Sequence, residues 1–239
     1  MIRTHSSTTQ ITPPGPALEH VMHQGKVWSA RQQPCKGAQA LSSGYADLDK
    51  ALPQGGWQPG QLCEMYPQGY GCGDMHILLP TLAKLSQQSR WIMLIAPPAI
   101  PYSPALSMAG IDVSKLLMVH PKNHKEALWC VEEGLRSGHC SAVLGWLPET
   151  DSTAVRRLQL ACESQQSLCW IWPSSTQQSN ASAAPLRLQI RRESADQAAL
   201  RFVKRRGLWP SEEFTLSLNS ASLAAIPATI PSAPPSTLR

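Results

Sequence analysis

Apolar and polar positions alternate with two different periods along this chain, and the change of period divides it. From 61 to 172, short apolar runs are separated by stretches with helical spacing. "QLCEMY" (61–66), "WIMLIA" (91–96), "LLMVH" (116–120), "SAVLGWL" (141–147) and "LCWIW" (168–172) are near-continuous apolar runs, the pattern of strands buried on both faces. Between them, 75–88 sets Leu78, Leu82 and Leu85 on one helical face, with Pro80 expected in the first turns, where a missing N–H costs least. "SPALSMAGI" predicts a short helix stopping at Gly110. Residues 123–138 predict a helix with Leu128, Val131 and Leu135 inward, and 152–165 one with Val155, Leu158 and Cys162 inward. Strands alternating with helices predict a mainly parallel α/β sheet with right-handed crossovers. After the polar loop 173–184 the period falls to two: "PLRLQIRR", "AALRFVKRR" and "EFTLSL" read as antiparallel strands extending the sheet.

The ends have a different character. Residues 1–39 combine a Thr/Ser/Pro-rich start, expected to be disordered, with a short helix at 17–30 (Leu18, Val21 and Met22 on one side) and a linker at 31–39. Residues 219–239 are rich in Pro, Ser and Ala and nearly uncharged, a tail that a partner could grip. The folded domain is expected over 40–218.

Composition narrows the function classes. No run approaches the roughly 18 apolar residues of a membrane span, and the start has no secretory signal, so a cytoplasmic protein is expected. The seven cysteines include no CxxC pair and the seven histidines no HExxH, which argues against a zinc site or a disulfide framework. The net charge of +5 is local: residues 187–206 hold seven basic side chains and two acids, a surplus equal to that of the whole chain.

One turn invites a chemical reading. "YPQGYGCGDMHIL" (66–78) joins a strand to a helix through Gly69, Gly71 and Gly73, the setting of a phosphate-binding loop. Such a loop needs Lys and then Ser/Thr after its last glycine, and here stand Asp74 and Met75. Two unit charges about 4 Å apart interact by roughly 4 kcal/mol at an effective dielectric near 20. Exchanging a lysine's attraction for an aspartate's repulsion therefore disfavours phosphate by several kcal/mol. The strand 141–147 also ends without the acid that would hold magnesium, because Glu149 and Asp151 lie beyond Pro148 in a loop or cap. The expectation is a degenerate loop, no nucleotide cofactor and no ATPase activity.

The residues also carry a family resemblance. "LSSGYADLDKALPQGGWQPGQLCEMYPQG" resembles the opening of a RecA-type ATPase core, with a short strand, a Leu-Asp helix, two glycine turns and a strand reaching Glu64. "GGWQPGQLCE", "PPAIPYSPALSMAGID", "EALWCVEEGLRSGHCSAVLGWL", "RRLQLA" and "VKRRG" resemble the ImuA family, a RecA-like group without ATPase residues, over about 40–218. This implies an accessory role in SOS-induced translesion DNA synthesis. The partners would be an ImuB-like protein and a DnaE-type error-prone polymerase, with RecA as a further candidate. The stretch "QQSRWIMLIAPP…SGHCSAVLGWL" is also similar to the SulA family, which implies the alternative, an SOS-induced division inhibitor acting on FtsZ.

Candidate contact residues follow. Arg156 and Arg157 are either solvated or contacts for an acidic partner or a DNA phosphate. Trp129 is either a flank of the core or an exposed anchor. Trp146, at a strand end, could cover the vacant nucleotide pocket. Lys204, Arg205 and Arg206 are either a polar strand end or a contact for RecA, a polymerase subunit or DNA. No aromatics interleave with these basic residues, so direct DNA binding is expected to be weak or absent.

Overall fold

The computed structural model describes residues 39–69, 73–174, 176 and 181–218. The expected helix at 17–30, the linker up to residue 38 and the tail from 219 lie outside the described residues, as does Gly71. In chain order the described elements are α1 (Ala46–Ala51), β1 (Leu62–Pro67), α2 (Asp74–Ser86), β2 (Trp91–Ile95), α3 (Ser103–Met108), a 3-10 turn (Val113–Lys115), β3 (Leu116–Val119), α4 (His124–Arg136), β4 (Cys140–Trp146), α5 (Ser152–Gln165), β5 (Leu168–Trp172), β6 (Leu186–Arg192), β7 (Gln197–Arg205) and β8 (Phe214–Ser217).

All eight strands form one sheet in the order β3-β2-β4-β5-β1-β6-β7-β8. Pairings from β3 through β6 are parallel, and β6–β7 and β7–β8 are antiparallel. The mixed α/β sheet with C-terminal antiparallel strands is the architecture that the two hydrophobic periods and the RecA-type resemblance imply. Residues 41–45 differ from expectation: the anticipated first strand is a single antiparallel bridge, Leu41 to Trp57.

Each strand supplies two faces because its side chains alternate. In β5, Leu168, Trp170 and Trp172 join the core under α1 and α2, with Leu48, Leu78, Leu82 and Phe202. Cys169 and Ile171 join the opposite core, with Val131 and Leu135 of α4 and Val155, Leu158 and Cys162 of α5. The periodicity therefore reads the inward faces of α2 and α5 correctly. On α4, Val131 and Leu135 are buried, whereas Leu128 is half-buried against the core edge. Gly145 lets α4 come close to β4: a Cβ there would meet Val131 Cγ2 at 2.8 Å.

Pro80 is the seventh residue of the 13-residue α2, buried in its second turn and beyond the first four positions, where a missing N–H costs least. Its missing N–H would have bonded the carbonyl of His76, four residues back. The Tyr45 hydroxyl takes that carbonyl instead, at 3.4 Å. Asp151 caps α5, its Oδ1 accepting from the Ala154 N–H at 2.6 Å.

Candidate functional site

Gly69 and Gly73 flank the loop that follows the carboxyl end of β1, a strand set between β5 and β6, and the carboxyl ends of parallel α/β strands are where such sheets place their ligands. Gly69 and Gly73 both adopt positive φ. Gly73 caps α2, and a Cβ there would meet an Arg192 guanidinium nitrogen at 2.8 Å and Leu218 Cδ1 at 2.9 Å. Gly73 is thus packed against the end of β6 and the residue after β8. Met75 is half-buried against the core.

Asp74, the first residue of α2, is tied to the neighbouring strand. Its Oδ2 accepts from the Trp172 indole N–H at 2.8 Å, and Trp172 stacks on Trp146 with ring centroids 4.5 Å apart and planes 11° from parallel. A carboxylate and two indoles therefore occupy the strand ends. The structure brings together Asp74 and Trp146, which the sequence only placed on separate segments, through a tryptophan that the sequence did not single out.

Beneath this turn lies a buried ionic cluster that sequence reasoning missed. Glu64 on β1 is paired with Arg187 on β6 at 2.6 Å, their side chains only 3% and 9% exposed. The Tyr66 hydroxyl donates to Glu64 Oε2 (2.9 Å) and accepts from Arg187 Nη2 (2.8 Å), and Ser182 donates to the other Glu64 oxygen. Burial pushes the Tyr66 hydroxyl up to about 12. The available signal was an acid inside an apolar strand and an arginine at the start of an alternating one.

Lys204 belongs to the same region. Its ammonium donates to the Ser182 carbonyl at 2.6 Å, and burial, then the nearby Arg187 charge, lowers its pKa. Arg205 spends its donors on the Ala51 and Trp209 carbonyls, at 2.9 and 2.8 Å. Arg206 is exposed, 3.6 Å from Glu163. Two of the three residues in the densest basic cluster are thus held inside the chain.

On the outer helical layer, Trp129 is 61% exposed. Arg156 is exposed on α5, and Arg157 pairs with Glu132 of α4, which also holds Arg136. The geometry favours the exposed reading of Trp129 over the core-flank one. Among the described residues, no group of three or more His, Cys, Asp or Glu side chains converges to hold a metal ion. The described cysteines are free thiols, and burial pushes those of Cys63, Cys162 and Cys169 upward. No described helix is long and apolar enough to cross a membrane.

The most exposed apolar surface lies elsewhere. Ile100 (79%), Tyr102 (73%) and Met108 (87%) stand in and beside α3, a helix with no buried residue. Val113 in the 3-10 turn, Leu117 and Met118 on β3 and Trp91 at the start of β2 are also exposed. Large apolar side chains gathered in this way mark interaction sites. A signal was present: "PPAIPYSPALSM" places bulky apolar residues among prolines, without the spacing that would bury them.

Comparison with known proteins points to the segment bearing this rim. Residues 64–169 match the family model described as "Cell division inhibitor SulA". The chain is 36% identical over 103 residues to the cell division inhibitor SulA of Edwardsiella piscicida, covering 42% of this chain and 61% of that protein. It is 34% identical over 87 residues to the cell division inhibitor SulA of Yersinia pestis (strain Pestoides F), covering 36% and 52%. The chain thus spans between half and two thirds of these relatives' length. A solved structure of SulA from Pseudomonas aeruginosa aligns with 28% identity over 47% of this chain and 97% of that one, at a TM-score of 0.40. These findings correct the reading as a translesion-synthesis accessory working with an ImuB-like protein and a DnaE-type polymerase. The matched family and the relatives are named as division inhibitors.

Proposed function

We propose that this chain is a SulA-like inhibitor of cell division that acts in the cytoplasm by binding FtsZ. The observation that carries the reading is the match of residues 64–169 to cell division inhibitor SulA. The same segment holds the exposed rim of Ile100, Tyr102 and Met108, which supports docking onto a protein partner. Inhibition then works by occupancy: a bound inhibitor covers surface that FtsZ needs for assembly. On this reading the chain turns over no nucleotide, and the Asp74–Trp172–Trp146 arrangement is a structural filling of the former phosphate position. The ImuA-like motifs "GGWQPGQLCE" and "VKRRG", which fall largely or wholly outside the matched segment, serve the fold by supplying the Trp57 bridge and part of β7.

Controlled expression in bacterial cells tests this. The expected result is long undivided filaments, with normal division restored by a Tyr102→Ser, Met108→Ser double variant present at equal level. Cells that keep dividing at normal length while holding folded wild-type protein would contradict the reading.

A further inference from the structure

We propose that residues 219–239 fold back across the carboxyl ends of the strands and seat on the rim at Ile100 and Tyr102, so that the chain covers its own docking surface until a partner displaces the tail. The starting point is where the tail leaves the domain. Leu218 is 3% exposed, joins the core under α1 and α2, and donates its N–H to the Asp196 carbonyl at 2.7 Å. A Cβ on Gly73 would meet its Cδ1 at 2.9 Å. β8 runs antiparallel to β7 and β7 to β6, while β6 runs with β1, so β8 points the same way as β1 and β2. The tail therefore leaves from the end of the sheet at which Ile100 and Tyr102 follow β2. It also leaves on their side of the sheet, since Leu106 of α3 and Ile111 pack in the same core as Leu218.

Length and chemistry both fit. The six strand intervals from β8 to β2 amount to about 29 Å at roughly 4.8 Å each. Residues 219–239 span at most about 70 Å when extended, so they cross that distance with length to spare. Residues 96–111, which include α3, carry no charged side chain, and residues 219–238 carry none either. Joining the two buries apolar area and desolvates no charge. Ile226–Pro227 and Ile230–Pro231 set a bulky side chain beside a proline twice, with Leu223 before them. Proline restricts a segment before it binds, so less freedom is lost on seating. Proline-rich segments dock on surfaces that present aromatic rings, and Tyr102, 73% exposed, presents one.

Other exposed apolar side chains suit an uncharged tail less well. Trp129 and Leu160 stand on α4 and α5, on the opposite face of the sheet, with the exposed Arg136 two helical turns from Trp129 and Arg156 one turn from Leu160. Leu208 and Trp209 follow β7 at the other end of the strands, directly after Arg205 and Arg206. Tethering makes even a weak contact count. A segment held at an effective concentration of about a millimolar, with an intrinsic dissociation constant of about 0.1 mM, is seated in roughly nine chains of ten. A partner that needs the rim then binds about tenfold more weakly than it binds the open chain. The effect on FtsZ rests on the division-inhibitor reading; the seating of the tail does not.

Photo-crosslinking of the full chain tests the seating. With p-benzoylphenylalanine in place of Ala228, between the two isoleucines, illumination in dilute solution should give adducts to residues 97–108 of the same chain, located by peptide mapping. Ile226→Asp with Ile230→Asp should abolish those adducts without altering the circular dichroism. The same double substitution in the unlabelled chain should tighten FtsZ binding about tenfold, measured by anisotropy of labelled FtsZ. Adducts formed only elsewhere on the domain, only between chains, or not at all would overturn the seating. Adducts at 97–108 with equal FtsZ affinity of the two forms would overturn the displacement by a partner. Adducts at 97–108 with FtsZ bound by neither form would support the seating and overturn the division-inhibitor reading instead.

Discussion

Pro80 interrupts the hydrogen-bond ladder of α2 at the His76 carbonyl, and the Tyr45 hydroxyl supplies the missing donor. Burial also pushes that hydroxyl up to about 12, from an ordinary 10.0. Tyr66 behaves alike. The folded chain therefore holds these protons over a range where the unfolded chain loses them. Their stabilisation is complete below pH 10 and is lost as the pH rises from about 10 toward 12. Tyr45→Phe should cost about 0.5–1.5 kcal/mol at pH 7 and make the alkaline loss shallower, as urea titrations at several pH values would show. The Glu64–Arg187 pair gives a sharper case. Arg187→Met leaves a buried carboxylate unpaired and should cost about 3–5 kcal/mol, whereas adding Glu64→Leu should recover much of it. Denaturant midpoints of the two variants, read in the same buffer, check the sign of that recovery. An acid inside an apolar strand marked Glu64 as unusual, but neither pairing was legible in the sequence. Tyr45 and His76 lie 31 positions apart, and Glu64 and Arg187 lie 123 apart. Composition carries no trace of such pairings.

At the scale of elements, α3 is the exception. The other long helices bury a stripe, and the apolar spacing announced it in α2, α4 and α5. The six residues of α3 bury none, although Leu106 leans on the core. A helix that contributes little to its own chain's core can be altered without unfolding it. Tyr102→Ser with Met108→Ser should shift unfolding stability by no more than about 0.5 kcal/mol while abolishing binding to the partner, measured by thermal melts beside a pulldown with FtsZ. The strands were legible to within a residue or two because buried parallel strands read as continuous apolar runs. The short bridge at Leu41 was not, since one pair of backbone bonds leaves no periodic pattern. The exposure around α3 was only weakly legible, because an apolar side chain reads as buried until its neighbours are known.

At the scale of the whole molecule, a sheet built like a nucleotide-binding core carries a carboxylate–indole plug at its strand ends and its most exposed apolar surface at one edge. The absence of Lys and Ser/Thr after Gly73 could be read directly, and the pairing of Asp74 with Trp172 gives a physical account of what stands there. If the chain turns over no nucleotide, as proposed, Asp74→Lys with Met75→Thr should create no ATP hydrolysis. A phosphate-release assay on the double variant checks this. Choosing between the two families that the sequence resembles required relatives, since both resemblances run through residues 87–147. The proposed inhibition of division by binding FtsZ is tested by GTP-driven FtsZ assembly followed by sedimentation, with purified full chain added in increasing ratio. The polymer pellet should fall as the ratio approaches one to one, and the Tyr102→Ser, Met108→Ser variant should leave it unchanged. An unchanged pellet at a large excess of folded wild-type chain would contradict it.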